Sequence, residues 1–225
     1  MASRTAANQK RSNGRRVVVG VADHNGWAIL VSAAIVNGEP AVVDRRRVRL
    51  IEEGVPNQPY HHETLALSDA EAEQLLRRVE RSIASCTALA FDRLSADLSP
   101  RYRVSSITIR QPPLAHLPAT VGEVHRSYHE LCRADGMLYH SAVCTAARER
   151  DWKVMFHRRG EELARAAAAL QTSTHEVTRF MNDLRQTLKP PWTGEHRNAF
   201  AAAISSTGLS RRKRSARYHT RGVPQ

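Results

Sequence analysis

Arg16–Leu50, RVVVGVADHNGWAILVSAAIVNGEPAVVDRRRVRL, decides the fold. The run Val17–Ala22 is continuously apolar and stops at a carboxylate, Asp23, before the polar turn His24-Asn25-Gly26. Trp27 opens a second apolar run that lasts to Val36. Asn37-Gly38 follows, and both residue types tolerate a positive φ, the strongest short-range hairpin signal. From Ala41 to Leu50, Val42, Asp44, Arg46, Val48 and Leu50 alternate with other residues, as in a strand with one wetter face. This predicts three antiparallel strands, with Asp23 where the first gives way to a turn. An aspartate there either makes the turn or is the first residue of a site.

Beyond this block the signals alternate between helix and strand. The loop GVPNQPYHHE, punctuated by Pro56 and Pro59, leads to Ser68 and Glu71, a capping box that starts a helix near Asp69. Leu75, Leu76, Val79, Ile83 and Cys86 recur along it at helical spacing, to about Leu94. Val104–Arg110 is a short β-rich run stopped by Pro112-Pro113. Thr120 with Glu123 makes a second capping box, and the pattern predicts one long helix to about Arg150, with a kink near Asp135-Gly136. A fifth strand over Trp152–Phe156, an alanine-rich helix over Glu161–Leu170, a helix from Ser173 and a last helix over Thr193–Ser205 complete the chain. The order β-β-β-α-β-α-β-α predicts an α/β fold. It is a mixed five-stranded sheet with helices on both faces, its later strands parallel to the first by right-handed crossovers, which is the RNase H-like order. Residues 1–15 and 207–225 read as disordered basic tails, and 16–206 as one domain.

Composition narrows the function. Lys+Arg is 34 against 22 Asp+Glu, a net charge of +12 and a pI near 10.6. That field attracts polyanions, and the arginine fork suits phosphate, so DNA or RNA is the expected partner. No apolar run approaches the ~18 residues of a membrane span. The basic N-terminal stretch lacks the apolar segment of a secretory signal. Cys86, Cys132 and Cys144 fit neither a disulfide set nor a zinc pattern, so they read as reduced, mostly buried thiols of a cytoplasmic protein.

Three local strings carry a family resemblance. Gly20-Val-Ala-Asp23, Thr108-Ile-Arg-Gln111 and Glu195-His-Arg-Asn198-Ala-Phe-Ala-Ala-Ala-Ile204 are similar, in order, to the first strand, fourth strand and final helix of RuvC-type Holliday-junction resolvases. The resemblance spans roughly Arg16–Ser205. It implies a nucleic-acid-binding protein that cuts phosphodiester bonds structure-selectively with Mg²⁺ or Mn²⁺, and it allows a homodimer. Carried over position by position, Asp23 and Glu195 are metal ligands, and Asp23, Glu195 and Asn198 are catalytic. Asn198 stands where the family has an acid, and offers only a carbonyl oxygen. Arg110 stands where the family has its second carboxylate. There it either grips a phosphate or pairs with Asp23 or Glu195 and seals the site. Two carboxylates can still hold one Mg²⁺ that keeps several waters.

Other residues enter as candidates on their own chemistry. His62 and Glu63, in the loop after the third strand, are substitute ligands or ordinary solvated residues. Arg45, Arg46 and Arg47 on the third strand either track phosphates or blunt an edge strand. Trp27 and Trp152 read as packing residues, Asp135 as a polar interruption or cap, and His140 and His157 as locally satisfied. Two rival functions stand beside the nuclease. One is an inactive RNase H-like scaffold. The other is an actin-like ATPase, for which the DHNG turn lacks the glycines of a phosphate loop.

Overall fold

A computed structural model describes residues 14–112 and 116–207. Strands β1 (Arg15–His24), β2 (Trp27–Val36), β3 (Glu39–Arg49), β4 (Tyr102–Arg110) and β5 (Lys153–His157) form one five-stranded sheet in the order β3-β2-β1-β4-β5. β1–β2 and β2–β3 are antiparallel, whereas β4 and β5 run parallel to β1. This is the mixed, RNase H-like sheet that the alternation of signals predicts. Both hairpins turn where the sequence places them: Asn37 and Gly38 have φ of 54° and 88°, and Gly26 has 91°. The predicted tails fall almost wholly outside the described residues, although β1 already begins at Arg15.

The helices divide between the two faces. α1 (Asp69–Leu98) and α3 (Tyr128–Arg148) cover one, burying Val17, Val19, Val21, Ile107 and Ile109. α4 (Glu162–Leu170), α5 (Thr174–Thr187) and α6 (Gly194–Ser205) cover the other, against Val18, Ile29, Val31 and Ala33. The split follows from the pleat, which sends successive side chains of β1 and β2 to opposite faces. Both sides of β1 are buried, which is why its sequence is a continuous apolar run. Trp152 stacks on Phe91 in the α1–α3 core, with ring centroids 5.1 Å apart.

Gly20 fixes the closest approach between layers. A Cβ there would run into the backbone carbonyl of Ala199, so α6 lies directly on β1. The small residues Ala199, Ala201, Ala202 and Ala203 are buried along α6, consistent with that contact.

Two helix boundaries depart from the sequence reading. The capping box of Thr120 and Glu123 forms, but it caps only α2 (Val121–Val124). The chain leaves the helix at Ser127, extended at φ −142°, before α3 starts at Tyr128. α3 runs continuously through Asp135 and Gly136. Asp135 therefore does not interrupt the helix. It points inward and is fully buried.

Candidate functional site

An open cleft of about 690 Å³ lies at the C-terminal ends of β1 and β4. Asp23 and His24 close β1, Arg110 closes β4, and α3 contributes Cys132, Arg133 and His140 to the opposite wall. Ligands of open α/β sheets bind at strand ends of this kind because the loops there are free to carry chemistry.

Neighbouring residues of β1 face opposite ways. Asp23 shares the parity of Val19 and Val21, and its carboxylate lies 3.5 Å from His140 Nδ1 on α3. Both side chains are nearly buried, at 11% and 9% exposure. Burial alone would oppose charging His140, but the Asp23 carboxylate and contact with Cys144 outweigh it and raise its pKa to about 9. His140 is thus an imidazolium at neutral pH. It has the local partner the sequence suggests, Cys144 one helical turn on, and a second one, Asp23, more than a hundred residues away. His157 does stay local, against the Arg158 carbonyl and Glu162.

His24 points to the α6 face. Its Nε2 is 2.8 Å from Glu195 in the first turn of α6, and its ring stacks on Trp27 at 4.0 Å. The Arg47 guanidinium also lies over the Trp27 ring, 4.2 Å from its centroid. Trp27 packs against the α6-side core as the sequence suggests, and its outer face also joins a His–Trp–Arg cluster. Glu195 and Asn198 do not line the cleft, and Asn198 is exposed on α6. Of the residues carried over from the resemblance, the fold brings Asp23 and Arg110 together and leaves Glu195 behind His24.

The three arginines of β3 have three separate environments. Arg45 donates to the carbonyls of Lys189 and Pro191. Arg46 turns to the α1 face, where Asp44 and Asp97 each accept from it at 2.7–2.8 Å. These hydrogen bonds raise its already high pKa despite partial burial. Only Arg47 stays free of carbonyl and carboxylate partners among the described residues. A single phosphate track along β3 is not what the strand offers, because alternation sends Arg46 to the opposite face from its neighbours.

His62 and Glu63 are exposed, Glu63 at the start of a single 3-10 turn (Glu63–Ala66), and neither lines the cleft. The residue that turns inward is His61. Its Nδ1 is 2.7 Å from Asp135 Oδ2, and the Tyr60 amide donates to Asp135 Oδ1 at 3.0 Å. Burial pushes the Asp135 carboxyl up, and the bonds from His61 and Tyr60 oppose that rise. The thiols are not uniformly buried either. Cys144 is buried, Cys86 is partly so, and Cys132 is exposed.

The electrostatics of the cleft favour anions. Arg110, Arg133 and Arg159 line it together with His24, His129 and His140, and Asp23 is the carboxylate among the lining residues, while Glu130 holds Arg133 and Glu195 holds His24 from outside the lining. Arg110 and Arg159 pair with no carboxylate among the described residues, so the sealing ion pair foreseen for Arg110 does not form. The carboxylates are matched by histidines instead. The two carboxylates that could share one Mg²⁺ do not converge here, because Asp23 meets His140 and Glu195 meets His24. Asp23, on β1, turns to the α3 face, whereas Glu195, in the first turn of α6, lies on the other face, and each meets its own imidazole. No cluster of three or more His, Cys, Asp or Glu suited to a metal ion occurs among the described residues.

No protein-family model matches the chain, and no curated protein matches it. Among solved structures, it is similar to T. thermophilus RuvC in complex with Holliday junction substrate. The identity is 14% and the TM-score 0.49, over 85% of this chain and 92% of that one. It is also similar to the Thermus thermophilus RuvC structure, with 13% identity and a TM-score of 0.47, over 84% and 92%.

Proposed function

We propose that the chain is a nucleic-acid-binding protein that holds the phosphodiester backbone in the cleft at the ends of β1 and β4. The observation that carries this reading is the lining: Arg110 and Arg159 meet no carboxylate among the described residues, Arg133 stands beside them held by Glu130, and Asp23 is already matched by His140. Arg110 is the central contact, and Arg159 and the His24–Trp27–Arg47 cluster extend the surface. An arginine fork on the strand end presents its N–H groups to phosphate oxygens in a fixed plane, which positions a backbone without reading its bases. The strongly basic chain brings polyanions to the cleft.

Hydrolysis with Mg²⁺ or Mn²⁺ is the finer reading that the sequence resemblance suggests. It would require Asp23 and Glu195 to leave their histidines and meet on one ion beside Arg110, and the donor geometry speaks against it. Binding without cutting is the form the residues support, by the full chain alone or as a homodimer.

The test is fluorescence anisotropy with a DNA duplex, a four-way DNA junction and an RNA duplex, across a salt series. Arg110→Ala is expected to weaken binding about tenfold and to lower the salt slope by about 1, as loss of one phosphate contact should. Unchanged affinity and slope in the variant would overturn the placement in this cleft. Cleavage of any probe with Mg²⁺, lost in Asp23→Asn with binding intact, would overturn the non-hydrolytic reading.

A further inference from the structure

Cys132, His61 and Asp135 stand in line at the wall of the cleft, and the proposed nucleic-acid binding makes no use of them. Cys132 and Asp135 are three residues apart on α3, so both project from one helix face. His61 arrives from the loop after β3 and lies between them. Asp135 Oδ2 accepts from its Nδ1 at 2.7 Å, and its Nε2 is 3.4 Å from Cys132 Sγ. With Nδ1–H given to the carboxylate, Nε2 carries the lone pair and faces the thiol.

The arrangement is braced as well as aligned. The Tyr60 amide fixes the second oxygen of Asp135, and Tyr139 of α3 donates to the Asn57 carbonyl at 2.9 Å, so the stretch leading into His61 is tied to α3 at two points. The Tyr128 ring meets His61 edge-on at 5.3 Å. Exposure is graded along the line. Asp135 is fully buried, the His61 side chain is 13% exposed, and Cys132 is exposed. A nucleophile open to the cleft, a base behind it and a buried orienting carboxylate are the three roles of an activated thiol.

We propose that Cys132 is the nucleophile of a Cys132–His61–Asp135 relay, reacting at an electrophilic carbon of a small anionic molecule seated in the arginine-lined cleft. In the reaction Sγ forms a bond to the carbon, the leaving group departs with its bonding electrons, and the thiol proton passes to His61 Nε2. Asp135 does not touch the substrate. It is a positioning residue that holds the tautomer in which Nε2 can accept.

Iodoacetate serves as the probe, because it is anionic and its reaction reads the thiol directly. Iodide leaves as the S–C bond forms, and peptide mass spectrometry of the full chain gives the rate at each cysteine. Cys132 in the folded protein is expected to react at least about tenfold faster than the same residue in the urea-unfolded chain. The ratio of iodoacetate to neutral iodoacetamide should also be higher in the folded chain than in the unfolded one. His61→Gln, checked for native near-ultraviolet dichroism, should remove most of the acceleration, and Asp135→Asn should remove part of it. A folded-state rate no faster than the unfolded rate would overturn the proposal without any variant. So would a natively folded His61→Gln protein that keeps the wild-type rate. The nucleic-acid reading is judged separately, since anisotropy with Arg110→Ala does not depend on Cys132.

Discussion

Asp23 and His24 are adjacent on β1, and each makes an imidazole–carboxylate pair, yet the two pairs differ in nearly every physical respect. Asp23 meets His140 under α3, with both groups about nine-tenths buried. His24 meets Glu195 at the start of α6, with side chains 36% and 41% exposed. The shorter pair, 2.8 Å against 3.5 Å, is the more exposed one, and in the buried pair the His140 pKa is raised. Distance alone thus does not rank ion pairs. Water screens the α6 pair, whereas the α3 pair sits where a lost partner leaves an uncompensated charge.

The largest perturbation removes the framework that holds the two pairs on opposite faces. Gly20→Ala should destabilise the protein by about 3 kcal/mol, because the added methyl group meets the Ala199 backbone and α6 must lift from β1. Urea unfolding of the variant checks this. Next comes the buried pair. Asp23→Asn should cost about 1–3 kcal/mol near neutral pH, since it leaves the His140 imidazolium without its carboxylate.

The pH dependence sharpens the same contrast. Because His140 has a raised folded-state pKa, its stabilising contribution is fully present below about pH 6.5 and is lost as pH rises through about 9. The stability difference between wild type and Asp23→Asn should therefore shrink from about pH 6.5 to about pH 9, as read by urea midpoints at each pH. The smallest effect belongs to the exposed pair. Glu195→Gln should shift stability by no more than about 0.5 kcal/mol, and 0.5 M salt should erase most of that. A cost for Glu195→Gln equal to that of Asp23→Asn would break the comparison.

Much of the architecture is legible before folding is considered. Asn37-Gly38 specifies the second hairpin because few other pairs accept two positive φ values. Ser68 with Glu71 marks the start of α1, where the Ser68 amide and hydroxyl both donate to the Glu71 carboxylate. The break between α2 and α3 is less visible. Thr120 and Glu123 announce a helix but carry no information on its length, and Ser127 with Glu130 offers a second start within what reads as one apolar pattern.

The site is legible only in part. Asp23 and Arg110 stand out at strand ends, and the structure does bring them to one cleft. Of the histidines in Tyr60-His61-His62-Glu63, the sequence reading singles out His62, but the fold selects His61 because Asp135 and Cys132 wait on α3. The spacing of Cys132 and Asp135, one helical turn apart, is the signal that marks them as neighbours. It names no third partner.

The sequence by itself determined the elements and their order: the hairpins, the caps, and the apolar runs long enough for a sheet buried on both faces. Those are set by φ preferences, side-chain hydrogen bonds to nearby amides and the periodicity of apolar residues, all of which act within a few positions. Tertiary structure alone decided which charges meet. His61 reaches Asp135 across 74 residues, and Asp23 turns to α3 while His24 turns to α6. That outcome depends on the parity of the pleat and on which helix packs over each face, and so on the completed sheet and not on any one stretch of chain.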